Sequence, residues 1–108
     1  MKTILLVVDV QQALVDEDPA HKDEFLLNLN LLISASHDHG VEVVYVRHDG
    51  GEGDVLAMDT AGWQLHCSLV PRVDEKIVDK RFSSSFRKTD LREYLEGKGV
   101  KRIVLCGM

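Results

Sequence analysis

Ile4-Leu5-Leu6-Val7-Val8-Asp9-Val10-Gln11 is the stretch that decides the fold. Five apolar residues run without alternation and stop at an acid. An unbroken run suits a strand covered on both faces, the condition of a parallel sheet between helix layers. Downstream the pattern changes: Phe25, Leu26, Leu29, Leu32 and Ile33 recur at helical spacing within Asp23 to His39, and Gly40 is a natural stop. Val41 to Val46 is a second buried-strand run ending at Arg47-His48. Strand, helix, strand makes a right-handed crossover.

A long irregular segment from Asp49 to Asp74 follows, opened by Gly50-Gly51-Glu52-Gly53 and carrying Pro71 near its end. So long a connection inside a small domain points to a functional loop or lid. Ile77-Val78 reads as a short third strand, Thr89 as the N-cap of a helix with Leu91, Tyr94 and Leu95, and Gly97 and Gly99 as its end. Ile103-Val104-Leu105-Cys106 is a fourth strand. The expected class is α/β, a three-layer α/β/α arrangement with a mostly parallel, Rossmann-like sheet. Met108 falls at the exit of a strand, where a doubly wound fold starts its next turn and helix, so residues 1–108 read as the N-terminal portion of a single domain, incomplete at the C-terminus. An apolar sheet face and edge left bare would make the isolated stretch aggregate or require a partner.

Composition narrows the function. Hydrophobic residues make up 44% and charged residues 29% of 108 residues, with a net charge of -5, which is ordinary for a folded domain. An acidic chain with dispersed basic residues has no electrostatic footprint for nucleic acid or an anionic membrane. The apolar run before Asp9 is too short for a signal peptide or a membrane span, and two distant cysteines, Cys67 and Cys106, do not make a secreted disulfide framework. A cytoplasmic protein with a small-molecule substrate is the expectation.

Asp9 stands at the exit of the first strand, the edge where open α/β sheets bind ligands. A carboxylate there serves as a base or metal ligand, or else satisfies backbone donors in a turn. Lys80 stands at another strand exit; beside a carboxylate it can stabilise an anion or a thiolate, although alone it reads as one solvated charge in a charged run. His48, His66 and Asp49 lack the short-spaced pair of a zinc site, so no metal and no cofactor is expected. The glycine cluster lacks the Lys-Ser/Thr of a phosphate loop. Cys106 lies within an apolar strand and reads as structural, Cys67 has only His66 beside it, and Trp63 alone reads as a packing residue.

Taken in order, five pieces resemble the isochorismatase-like cysteine hydrolases, the group that includes nicotinamidases and other small-amide amidohydrolases. They are Val7-Val8-Asp9-Val10-Gln11, Gly62-Trp63-Gln64-Leu65-His66, Asp79-Lys80-Arg81 with Ser84-Ser85-Phe86, Thr89-Asp90-Leu91, and Ile103-Val104-Leu105-Cys106-Gly107-Met108. The resemblance implies an Asp-Lys-Cys triad in which Asp9 and Lys80 are the first two members. The nucleophilic cysteine belongs to the turn after the fourth strand, past Met108; Cys106 comes too early for it. It also implies a substrate pocket involving Gln11, Leu14, Trp63 and Phe86, and a homo-oligomer. Many relatives carry an aromatic residue where Leu14 stands, and the paired metal-binding histidines of nicotinamidases are not evident after the second strand.

The leading expectation is therefore a hydrolase that cleaves a small amide C–N bond. The alternatives are a non-catalytic family fragment or oligomerisation module, and an isochorismatase proper, which cleaves a vinyl ether and can manage without the cysteine. A phosphoacceptor receiver domain stands further behind, because Asp9 has no acidic neighbour with which to hold magnesium.

Overall fold

A computed structural model describes residues 2–108. The elements are β1 (Thr3–Val8), α1 (Gln12–Asp16), α2 (Lys22–Asp38), β2 (Glu42–His48), β3 (Ile77–Lys80), α3 (Leu91–Gly97) and β4 (Arg102–Gly107). The strands form one sheet in the order β3-β2-β1-β4, and every pairing is parallel. The α/β architecture expected from the apolar runs is thus the one observed.

The unbroken run in β1 divides between two cores by the two-residue period of a strand. Leu5 and Val7 face one side with Val43 and Tyr45, where Leu29 and Ile33 of α2 pack on them. Ile4 and Leu6 face the other with Val44, Val46 and Val78, under Leu91 and Leu95 of α3. Each face of β1 is therefore dry, which is why no polar residue interrupts it. Fully burying a side chain of this size stabilises the fold by about 1.5–3 kcal/mol.

Three local details differ from the sequence expectation. β3 runs two residues further than Ile77-Val78, because the charged pair Asp79-Lys80 is satisfied by partners on β2 and after β1. The N-cap of α3 is Asp90 rather than Thr89, whose hydroxyl donates to the carbonyl of Ser85. The five-residue helix α1 is held from outside, its first amides donating to Gln64 and Gly62 in the long connection.

β4 is one of the sheet's two edges among the described residues, and it is not dry. Ile103, Val104 and Leu105 are 39%, 41% and 69% exposed. At its far end Gly107 lies hard against β1: a Cβ there would sit 2.0 Å from the Val8 carbonyl oxygen, and its φ is +140°. Only glycine fits so close an approach at that φ. The next amide, Met108 N–H, donates to Val8 O at 3.0 Å, which brings the chain beside Asp9.

Candidate active site

Asp9, just past β1, and Lys80, at the end of β3, belong to strands that are not neighbours, since β2 lies between them. Two strand spacings are about 10 Å, and the long lysine side chain closes that gap. Lys80 Nζ sits 3.2 Å from Asp9 Oδ2 and donates to the Ser83 carbonyl at 2.9 Å. Lys80 is only 4% exposed. The backbone helps: Asp9 N–H still donates to Val46 O, and the chain then turns at Asp9 with φ +61°. Aspartate is one of the few residues that tolerate this left-handed conformation.

Asp9 is singular in how its oxygens are used. Oδ2 meets Lys80, whereas Oδ1 is buried with no hydrogen-bond partner among the described residues. A buried carboxylate oxygen without a donor is costly, and its free lone pairs can accept a proton. Beside the strand exits, Val8, Ser83, Ser85, Leu105, Cys106, Gly107 and Met108 line an open depression of about 410 Å³.

Two further aspartates frame this edge. Asp49, just past β2, is buried; its Oδ1 accepts from the amides of Gly51 and Met58, and its Oδ2 faces Arg81 at 3.2 Å. The Gly51 amide foremost, then those of Met58 and the Arg81 charge, hold its carboxyl below the usual range against the opposing effect of burial. Asp79 receives a two-pronged contact from Arg47 at 3.0 Å on each oxygen and the indole N–H of Trp63 at 2.9 Å. Sequence reading assigned neither Asp79 nor Arg47 a role. The available signal was a charged pair, Asp79-Lys80, placed directly after an apolar strand.

The other expected site residues fall in different places. Gln11 is fully buried; it exchanges two hydrogen bonds with the backbone of His48 and donates to the Trp63 carbonyl, each at 2.9 Å. Trp63 is 6% exposed, with the Arg47 guanidinium 3.7 Å above its ring. Leu14 is half-buried on α1. Phe86 lines a separate cavity of about 300 Å³ with Leu95 and Ile103, on the flank of α3 and β4. The structure thus joins Asp9 with Lys80 and Gln11 with Trp63, and leaves Phe86 outside the depression at the strand exits.

Neither cysteine sits as an activated nucleophile. Cys106 packs against the α2-side core, its thiol 3.6 Å from the Leu6 carbonyl, and burial pushes its pKa up. Cys67 is exposed, 4.0 Å from His66 Nε2. Among the described residues no group of three or more His, Cys, Asp or Glu side chains could hold a metal ion, and no helix is long and apolar enough to cross a membrane.

Known proteins resemble this chain in sequence and fold. A streptothricin hydrolase of Streptomyces noursei is 37% identical over 106 residues, which are 96% of this chain and 42% of that one. An uncharacterised isochorismatase family protein of Bacillus subtilis is 32% identical over all of this chain and 63% of its own. The crystal structure of a cysteine hydrolase from Pseudomonas syringae superimposes with a TM-score of 0.85 at 27% identity, covering 99% of this chain and 59% of that one. This chain therefore spans less than two thirds of the length of these relatives. The family model described as the isochorismatase domain matches residues 3–108. By its parallel sheet, its strand-exit motifs and this end-to-end match, the chain belongs to the isochorismatase-like hydrolase family.

Proposed function

We propose that this chain is the front part of a hydrolase that cleaves the C–N bond of a small amide, with Asp9 as the proton-transfer group and Lys80 as its fixed cation. The nucleophile in this reading is a cysteine on the turn after β4, in a longer polypeptide. The observation that carries it is the Asp9 carboxylate, held by Lys80 through one oxygen and left with a buried, unpartnered second oxygen. The close approach of Gly107 to Val8 supports the placement of the nucleophile, because it delivers the chain after Met108 to the side of Asp9.

The chemistry follows from those positions. Asp9 Oδ1 takes the thiol proton, and Lys80 keeps positive charge beside the developing anions. The thiolate adds to the amide carbonyl, forming a C–S bond, and backbone N–H groups of the same turn receive the oxyanion. As the C–N bond breaks, Asp9 returns its proton to the leaving nitrogen and ammonia or an amine departs. Water then attacks the thioester, Asp9 accepts one of its protons, and C–S cleavage releases the acid and the thiol.

The test uses the protein isolated from its own cells. Intact mass reports whether it exceeds 12.1 kDa, and ammonia or amine release is followed on small primary amides and on streptothricin. A heavier protein that hydrolyses one of these, and is inactivated by iodoacetamide at a cysteine past Met108, supports the reading. Hydrolysis that survives iodoacetamide, or a protein without a cysteine past Met108, overturns it.

A further inference from the structure

We infer that Trp63 is a positioning residue that sets the Asp9–Lys80 contact, rather than a wall of the substrate pocket. The inference rests on the function proposed above for that pair. Trp63 is the only tryptophan in the chain, it is 6% exposed, and the Arg47 guanidinium stands 3.7 Å over its ring. Little of the indole remains to meet a substrate. Its polar groups, by contrast, are committed to both halves of the pair. Its carbonyl accepts from Gln11 Nε2 at 2.9 Å, two residues after Asp9. Its indole N–H donates to Asp79 Oδ1 at 2.9 Å, one residue before Lys80.

The backbone around Trp63 reinforces the link. Gln12 N–H donates to Gln64 O, Ala13 N–H to Gly62 O, and His66 N–H to Val10 O, with an antiparallel bridge between Gln11 and Leu65. The segment 62–66 is thus bonded along its length to the chain leaving Asp9. Gly62 permits this, since a Cβ there would stand 2.2 Å from Val55 O and 3.0 Å from Ala13 Cβ. That segment is anchored to β1's exit by main chain and side chain together, but the only hydrogen bonds it makes to β3 among the described residues run through the Trp63 indole to Asp79. Arg47 braces the same junction, bonded to Asp79 and stacked on the ring. Because β1 and β3 are not neighbours, this bridge is a second route, besides β2, by which their ends keep register.

Trp63→Phe keeps an aromatic ring under Arg47 and removes the N–H donor. In the active protein we expect kcat to fall about tenfold with KM within about twofold, the signature of misplacement rather than lost binding. A rise in KM with kcat unchanged would overturn the inference. A second readout needs no activity, and so separates failure of this inference from failure of the amide-hydrolase reading. Acetylation of Lys80 by an amine-selective reagent, read by peptide mass spectrometry, should rise about fivefold in Trp63→Phe, the factor that one net hydrogen bond carries. Exposed Lys98 on α3's end serves as the reference. Asp79→Asn and Asp79→Leu provide a pair for the case in which Trp63→Phe does not fold. Both lose the charge, but only Asn retains an acceptor for the indole. Lys80 protected in Asn and labelled in Leu supports positioning by Trp63; equal labelling in the two overturns it.

Discussion

Asp9 and Asp79 stand at the same edge of one sheet and are bonded in opposite ways. Both oxygens of Asp79 are engaged, with Arg47 on each and the Trp63 indole on one of them. Asp49 is likewise committed, to two amides and to Arg81. Of the three aspartates, Asp9 alone keeps a buried oxygen without a donor among the described residues. The difference is the one the proposed roles of frame and proton transfer require. A saturated carboxylate holds loops and strands together, because removing it strands its donors; an unsaturated one costs stability and is kept where it has chemistry to do.

The contrast can be broken most severely at Lys80. Lys80→Ala would leave the Asp9 carboxylate, 19% exposed with one oxygen buried, without a countercharge, and urea unfolding should show a loss of about 3 kcal/mol, the low end for a broken buried pair. Next comes the saturated partner. Asp79→Ala strands Arg47 and the Trp63 N–H, and since its side chain is 26% exposed solvent softens the loss to about 2 kcal/mol. An equal or larger loss from Asp79 would mean that the Asp9–Lys80 pair is not the tighter electrostatic centre.

Asp49 sharpens the comparison through pH. Its carboxyl is held below the usual range in the folded protein, first by the Gly51 amide. Its contribution is therefore complete above the unfolded carboxylate value of about 3.9 and is lost as pH falls through the lower folded value. Thermal melts between pH 6 and pH 3 should decline less steeply at the acid end for Asp49→Asn than for the unaltered chain. The smallest effect belongs to β4: Leu105→Ser, at a position 69% exposed, should change the unfolding free energy by less than about 0.5 kcal/mol. It should nonetheless raise solubility by breaking up an apolar edge.

Much of this was legible in the sequence. The unbroken runs of β1 and β2 and the helical spacing of α2 marked the layers, because each reports burial by a neighbour on a known face. Asp9 was legible as a strand-exit acid. Its pairing with Lys80 was not legible from spacing, since the two are distant in the chain and meet across an intervening strand; it came from the order of motifs. The Arg47–Asp79–Trp63 junction was hidden for the same reason. Lys80 alone read as one solvated charge in a charged run, and only the register of His48 with Lys80 and of Arg47 with Asp79 turns those charges into strand positions. Helix α1 was missed because five residues carry too little periodicity, and its first amides are satisfied by a segment some fifty residues on. Gln11 was expected at the substrate, yet its side chain is committed to the backbone of His48 and Trp63.

In the proposed reaction the spare oxygen of Asp9 moves the proton. The most direct test of that role is kcat for amide cleavage by Asp9→Asn, measured beside Asp79→Asn in the protein isolated at its natural length. Asp9→Asn should lose about 10²–10⁴-fold in kcat while its unfolding midpoint stays at or above that of Asp79→Asn. Amide cleavage that persists in Asp9→Asn at the rate of the unaltered protein would contradict that role.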